Sequence, residues 1–312
     1  MVDLRIVFMG TPEFAVASLQ ILVANNCPVV AVITAPDRKQ GRGQKVVPSP
    51  VKDYALSQNI PVLQPTNLKS PVFITELKLY KANLQVVVAF RMLPEIVWQM
   101  PALGTFNLHA SLLPDYRGAA PINWAIINGE KETGVTTFYL KKEIDTGAII
   151  LQEKEKISET DNVGSLYNRL MISGAKLVLS TVELIREEGA ITREQSEGTS
   201  NKRAPKIFKD TCEINWNLPF SEINNFIRGL NPYPAAWTQL DGKTCKIFAI
   251  SKADISSAAN VHDVITDHKK NIYIRAANGW VKLLELQMEG KKRMSVGDYL
   301  RGNPLTNLPD VE

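Results

Sequence analysis

The chain has 312 residues, 45% hydrophobic and 22% charged, which supplies apolar material for substantial cores and excludes a disordered or fibrous chain. Its 36 basic against 32 acidic side chains leave a formal net charge of +4, which permits an anionic partner without requiring one. No apolar run approaches the ~20 residues needed to cross a bilayer, and Cys27, Cys212 and Cys245 are scattered without a CxxC pair. The expectation is therefore a soluble, untargeted, cytoplasmic protein with no membrane contact, no disulfide framework and no metal site.

In chain order, residues 4–9 form an apolar run that ends at Gly10, and Thr11-Pro12-Glu13 reads as an N-cap, a proline at N1 and a first-turn acid. The next strand-like runs are 29–34 and 85–90, with an amphipathic helix predicted over 73–81 between them. This order predicts an α/β fold with a doubly wound, mostly parallel sheet covered on both faces. The first turn carries one glycine, Gly10, where a dinucleotide fingerprint carries three, so NAD and FAD are not expected. A helix is predicted over 121–128, with Pro121 at N1, Gly129 just past its end, and Trp124 and Ile127 facing the sheet. Residues 135–140 read as a strand, 143–147 as a turn and 148–151 as another strand.

Residues 190–208 are polar and read as a linker between an N-terminal domain, 1–189, and a compact C-terminal domain, 209–312. In the latter, short segments at 244–250, 272–276 and 280–286 are separated by turns at Gly242 and Asn278-Gly279, which predicts a small β-barrel or sandwich. Trp216, Trp237 and Trp280 are assigned to its core, and no repeat of fixed period occurs.

The candidate site begins at residues 104–118, where a strand runs into a loop. Asn107 and His109 lie two apart and so project from one face near the carboxyl edge of the sheet, where open α/β folds bind ligands. An amide can donate to a developing oxyanion and an imidazole can exchange protons near neutral pH, a pairing that suits addition to a carbonyl. Asp145, in the turn after the next strand, would orient the ring if its loop reaches His109. Taken singly, the histidine fits a structural role and the aspartate an ordinary turn; only the constellation points to chemistry.

Asn107-Leu-His109, Ser111-Leu-Leu-Pro114, Arg117-Gly118 with Pro121 and Trp124, and Asp145-Thr-Gly147 together resemble the signature of the folate-dependent formyltransferases. The stretch 34–52 resembles an insert found in members of that family that act on methionyl-tRNA, and Ala204-Pro-Lys206, residues 228–235 and Leu286-Gln287 resemble their second domain. The resemblance implies a Rossmann-like catalytic domain, a C-terminal barrel similar to an OB-fold that binds tRNA, and transfer of the formyl group of 10-formyltetrahydrofolate, a consumed cosubstrate, to the methionine of initiator methionyl-tRNA. It further implies a monomer. Carried over by position, the catalytic residues are Asn107, His109 and Asp145. Ser111, Leu112, Leu113, Pro114, Phe90, Arg91, Met92 and Ile144 would line the folate site, with Phe90-Arg91 standing where many relatives have Tyr-Gly.

Between residues 37 and 52 the chain carries Arg38, Lys39, Arg42, Lys45 and Lys52 against Asp37, a local net of +4. Such a run is ordinarily a solvated loop, but the resemblance makes Arg38, Lys39, Arg42 and Lys45 candidates for tRNA binding, together with Lys206. Residues 211–312 hold 12 basic and 11 acidic side chains, a balance of +1 that lends little support to RNA binding by the second domain. Two other readings stand beside this one: formyl transfer to a small amine such as a sugar nucleotide, and a noncatalytic RNA-binding protein on the same scaffold.

Overall fold

The structure, a computed structural model, describes residues 2–40, 45–187, 191–195, 202–256, 259–303, 305 and 308–311. The chain packs as two compact units, the first comprising Met1–Gly118, Glu132–Lys156 and Tyr167–Arg203, the second Ala119–Lys131, Ile157–Leu166 and Ala204–Glu312.

The chain begins with β1 (Ile6–Gly10), α1 (Glu13–Ala24), β2 (Val29–Ile33), a short pair β3 (Arg38–Gln40) and β4 (Lys45–Val47), α2 (Pro50–Ser57) and β5 (Val62–Leu63). It continues through α3 (Pro71–Leu79), β6 (Leu84–Val88), α4 (Glu95–Trp98), β7 (Thr105–His109), β8 (Arg117–Gly118), α5 (Pro121–Ile127), β9 (Glu132–Tyr139), β10 (Ile149–Lys156), α6 (Val163–Glu187) and β11 (Arg203–Ala204). Seven strands form one sheet in the order β10-β9-β7-β6-β1-β2-β5. Every pair from β7 across to β5 is parallel, whereas β9 joins β7 and β10 in antiparallel register, so the mostly parallel sheet expected from the aliphatic runs is present. The central strands β1 and β6 are buried at all positions, which is why they read as near-continuous apolar runs, interrupted in β6 by the buried Gln85.

Two local details refine the sequence reading. Helix α1 starts at Glu13 with Pro12 in the cap position, one residue later than the pattern predicts, and Thr11 supplies no cap. Gly10 is required by packing, since a Cβ there would lie 2.6 Å from the Ala15 Cβ and 3.1 Å from the Val88 carbonyl oxygen. The lone glycine of the first turn thus lets α1 approach the sheet.

The second unit carries a six-stranded antiparallel sheet. Its strands are β12 (Ala236–Leu240), β13 (Lys243–Ala253), β14 (Val264–Thr266), β15 (Ile272–Ala276), β16 (Gly279–Met288) and β17 (Met294–Ser295), accompanied by α7 (Phe220–Leu230) and α8 (Val296–Gly302). The path runs β12-β13-β16-β15-β14, with β17 added to β16. Register shifts around Ala249 break the inside-outside alternation of β13, the device by which a sheet curls into a small barrel-like domain. Trp216 and Trp280 lie in its interior, as expected, whereas Trp237 is only half-buried.

Helix α5 departs from expectation. Ile127 packs against the core of the second unit, and Asn123 Nδ2 donates to the Gly229 carbonyl at 2.8 Å, so α5 pairs with α7 within that unit. An apolar stripe identifies the buried face of a helix but not which core receives it. The polar stretch 190–208 likewise contains packed residues: Arg193 exchanges both backbone hydrogen bonds with Ile149, at 2.8 and 2.9 Å. No helix among the described residues is long and apolar enough to cross a membrane.

Candidate active site

Counting outward along the chain from β1, the strands go one way to β2 and β5 and the other way to β6 and β7, so the direction of winding reverses beside β1. Strand β7 ends at His109, which places Asn107 and His109 at the carboxyl edge near that reversal, on one face of the strand. The His109 side chain is buried. Asn107 is half-buried, and its amide makes no hydrogen bond among the described residues, leaving its donors available.

The His109 ring is oriented by backbone. Its Nε2 lies 2.9 Å from the carbonyl oxygen of Tyr116. A carbonyl only accepts, so Nε2 carries the hydrogen, and Nδ1 is the nitrogen able to take up or release a proton without breaking that bond. Nδ1 faces Asp145 Oδ2 at 3.9 Å, an ion-pair separation too long for a direct hydrogen bond. The carboxylate is fixed by a different donor, the Gly118 N–H, at 2.9 Å from Oδ2. The loop of Asp145 thus comes within ion-pair range of the histidine, while the group that hydrogen-bonds the ring, the Tyr116 carbonyl, is one the sequence did not single out.

Asp145 sits at the tip of its turn with φ +56°, a left-handed conformation that costs energy for a residue other than glycine. Gly147, two residues on, cannot be another residue without movement: a Cβ would stand 1.6 Å from the Tyr139 carbonyl oxygen at the end of β9. The glycine of Asp145-Thr-Gly147 therefore lets the turn fold flat onto the sheet edge.

The 111–118 loop is clamped from beneath. Thr136 Oγ1 donates to the Ser111 carbonyl at 2.6 Å and accepts from the Leu113 N–H at 3.2 Å. Gln152 Nε2 donates to the Leu113 carbonyl at 2.9 Å and to Thr136 Oγ1 at 3.0 Å. Ser111 is fully buried with its hydroxyl donating to the Asp115 carbonyl at 2.6 Å, and the Leu113 side chain belongs to a small core with Phe138 and Ile149. Of the residues expected to line a folate site, Ser111 and Leu113 are thus engaged in holding the loop, whereas Leu112 and Pro114 are half-buried. Phe90 packs half-buried against the core below β1 and β6, while Met92 and Ile144 are exposed, at 74% and 59%. Arg91 is also exposed, its guanidinium donating to the carbonyls of Pro65 and Thr66.

The basic insert is anchored at its base. Asp37 accepts from Lys52 Nζ at 2.6 Å and from Gln64 Nε2 at 2.7 Å, and the Gln64 and Lys52 contacts hold its carboxyl below the ordinary aspartate range. Arg38 is exposed; partial desolvation and then the positive charge of Arg38 move the Arg91 guanidinium below the ordinary arginine range, so two cations stand near one another there. Lys39 lies on β3 and Lys45 on β4, whose backbones pair, and Arg42 lies outside the described residues. In the second unit, Lys206 is exposed with its ammonium 5.3 Å from the Phe208 ring centroid. It borders a cavity of about 470 Å³ that Lys209, Lys246, Phe208, Tyr233 and Trp237 also line, with no acidic residue among the described lining.

Comparison with known proteins decides what family this arrangement belongs to. Residues 4–182 match the formyl transferase family and residues 206–304 match the formyl transferase C-terminal domain. The chain is 53% identical over 313 residues to the methionyl-tRNA formyltransferase of Bacteroides thetaiotaomicron, across 98% of this chain and 97% of that one. It is 54% identical over 310 residues to the methionyl-tRNA formyltransferase of Parabacteroides distasonis, across 96% of each. The chain belongs to the methionyl-tRNA formyltransferase family. Among solved structures, HypX from Aquifex aeolicus in complex with tetrahydrofolic acid superposes with a TM-score of 0.66 at 17% identity, over 99% of this chain and 49% of that one. This chain spans about half the length of HypX, and at that identity the likeness is one of fold.

Within the methionyl-tRNA formyltransferase frame, several groups around Asn107, His109 and Asp145 escaped the sequence reading. The Tyr116 carbonyl and the Gly118 N–H are backbone atoms, which side-chain patterns cannot report. Thr136 and Gln152 fall on β9 and β10, where an inward polar residue is the available signal. Gln195 lies in the stretch read as linker; it is buried, and its side chain reaches the Asp145 turn.

Proposed function

We propose that this protein transfers the formyl group of 10-formyltetrahydrofolate to the α-amino group of methionine on initiator methionyl-tRNA, with Asn107, His109 and Asp145 as its catalytic residues. The observation that carries the reading is the convergence at the end of β7: Asn107 and His109 share a face, and the Asp145 carboxylate stands 3.9 Å from His109 Nδ1. In this reaction the amine nitrogen bonds to the formyl carbon, the bond from that carbon to N10 of the folate breaks, and a proton passes from the amine to N10. Asn107 donates to the oxyanion that forms on the formyl oxygen. His109 exchanges the proton at Nδ1 while Nε2 keeps its bond to the Tyr116 carbonyl, and Asp145 stabilises the charged ring and passes the proton through water across the 3.9 Å gap. No step calls for a metal.

The folate is assigned to the space bordered by Leu112, Pro114, Phe90, Arg91, Met92 and Ile144, with Ser111 and Leu113 shaping it from below. The exposed apolar side chains of Met92 and Ile144 are ones a flat aromatic donor would cover. Arg38, Lys39, Arg42 and Lys45 are assigned to tRNA, as is Lys206, whose cavity offers ammonium groups and aromatic faces to a single-stranded, phosphate-bearing end. We assign catalysis to the first unit and acceptor binding to the insert and the C-terminal domain, with a single chain acting in the cytoplasm.

The test is to offer the purified protein 10-formyltetrahydrofolate with initiator methionyl-tRNA, elongator methionyl-tRNA and small amines, and to quantify formylated product. Formylation of the initiator tRNA is expected to dominate. Product from the small amines alone would reject the acceptor assignment.

A further inference from the structure

We propose that Gln195 is a positioning residue that holds the Asp145 turn in register with His109, with Arg117 as its anchor. The kinetic part of the argument rests on the formyl-transfer reading; the geometric part does not. Gln195 Nε2 donates to the Asp145 carbonyl at 3.0 Å and to the Gly147 carbonyl at 2.8 Å, so one side-chain amide grips the turn on both sides of Thr146. Its Oε1 accepts from Arg117 Nε at 3.1 Å and Nη2 at 2.5 Å. The amide orientation follows from its partners, because a guanidinium only donates and a carbonyl only accepts.

The contacts close into a ring. Arg117 is bonded to Gly118, whose N–H holds the Asp145 carboxylate, and it follows Tyr116, whose carbonyl orients His109. Residues 116–118 therefore fix His109 directly, the Asp145 side chain through Gly118, and the Asp145 main chain through Arg117 and Gln195. The turn needs such a brace, since a left-handed Asp145 persists only where its surroundings over-determine it. Gln195 is 9% exposed, so water does not readily replace its amide. Its role is to keep a reacting pair at a set distance, the circumstance in which small displacements cost large factors in rate.

Three variants and one spectrum test this. Gln195→Ala is expected to lower kcat by roughly 10- to 100-fold with KM for 10-formyltetrahydrofolate within about 3-fold of wild type, because the brace acts on the reacting geometry. Gln195→Glu keeps the shape and the Arg117 contact but turns acceptor oxygen toward two carbonyls, and is expected to lower kcat comparably. In an Asp145→Ala background, Gln195→Ala is expected to add no further loss, since a residue that acts only through Asp145 has nothing left to position. In the NMR spectrum, Gln195→Ala is expected to move the His109 ring resonances while those of His262 and His268 stay in place. Wild-type kcat in Gln195→Ala, an equal fold-loss in both backgrounds, or unmoved His109 resonances would each overturn the proposal. A wild-type protein that formylates no acceptor, or an Asp145→Ala variant with full turnover, would instead strike the functional reading, and the His109 spectrum would then decide the positioning role by itself.

Discussion

Replacing Gly147 by alanine is the most discriminating test of the Asp145 turn. The added Cβ would lie 1.6 Å from the Tyr139 carbonyl oxygen, and real Cβ contacts essentially never fall below 3.0 Å, so something must move by at least the difference, 1.4 Å. Tyr139 is the last residue of β9, whose partners on both sides are strands of the main sheet, so the turn moves and the strand stays. A displacement of that size is half the 2.9 Å that joins Gly118 N to Asp145 Oδ2, enough to break the bond and carry the carboxylate away from His109. Gln195 loses its hold on the Gly147 carbonyl and Tyr139 its bond to Ala148. At about 1 kcal/mol net for each hydrogen bond, the stability loss is about 2–3 kcal/mol. This corresponds to a melting temperature lower by roughly 5–10 °C. A shift of order 1 Å in a reacting group costs about 100-fold in turnover. The assay pairs initial rates of formyl transfer with a thermal melt, using Gly302→Ala as a control because a Cβ there meets nothing within 4 Å. Near-normal kcat in Gly147→Ala would refute the claim that the placement of Asp145 depends on this turn.

His109→Ala and Asp145→Asn are each expected to reduce turnover by at least ~100-fold with folding intact by circular dichroism; a near-normal rate in either variant removes that residue from the mechanism. Lys206→Ala and Lys209→Ala should each raise KM for tRNA and reduce by about one the slope of log affinity against log salt, while leaving folate KM unchanged; an unaltered slope would argue against phosphate contact. Asp267 gives a pH-dependent stability test. Burial raises its carboxyl, but the N–H groups of Lys270, Asn271 and Lys269 and the Asn271 side chain outweigh it and bring the pKa to about 2. A depressed carboxyl contributes stability above its unfolded value near 3.8 and loses it as pH falls through about 2, so the melting-temperature gap between wild type and Asp267→Ala should be present at pH 7 and shrink below pH 4. A gap independent of pH would refute the assignment.

The parallel sheet was legible because its strands are buried on both faces, which compels short apolar runs such as those of β1 and β6, whose length and flanking turn residues set them apart from helices. The C-terminal strands were legible for the opposite reason, since antiparallel segments bounded by Gly242 and Asn278-Gly279 announce their turns. Membership of a packing unit was not. The stretch 119–131 carries apolar residues at helical spacing that would serve either core, and the choice is made by Gly229, where a Cβ would come within 2.5 Å of the Ile127 side chain, so that only a glycine lets α5 and α7 approach.

At the site, what could be read was whatever depends on a side chain at a fixed period. Asn107 and His109 share a face because strands repeat every two residues, and that follows from the sequence before any fold is known. Asp145 could be paired with them only on the condition that its loop reaches His109, because its approach depends on a left-handed turn and on a glycine whose reason, the Tyr139 carbonyl, belongs to a strand. Tyr116 acts through a carbonyl that every residue possesses, so its identity carries little of the information, whereas Gly118 donates from a backbone at φ +126° that favours glycine, a reason visible only in the fold. Gln195 was hidden by its own polarity, since a glutamine among charged neighbours reads as solvated until its amide is seen gripping two buried-edge carbonyls. On the proposed mechanism the chemistry of this centre rests on three side chains, whereas their placement involves main-chain atoms of 116–118 and the Arg117–Gln195 contact, so variation at Arg117 or Gln195 should disturb catalysis although neither residue is placed against the reacting atoms.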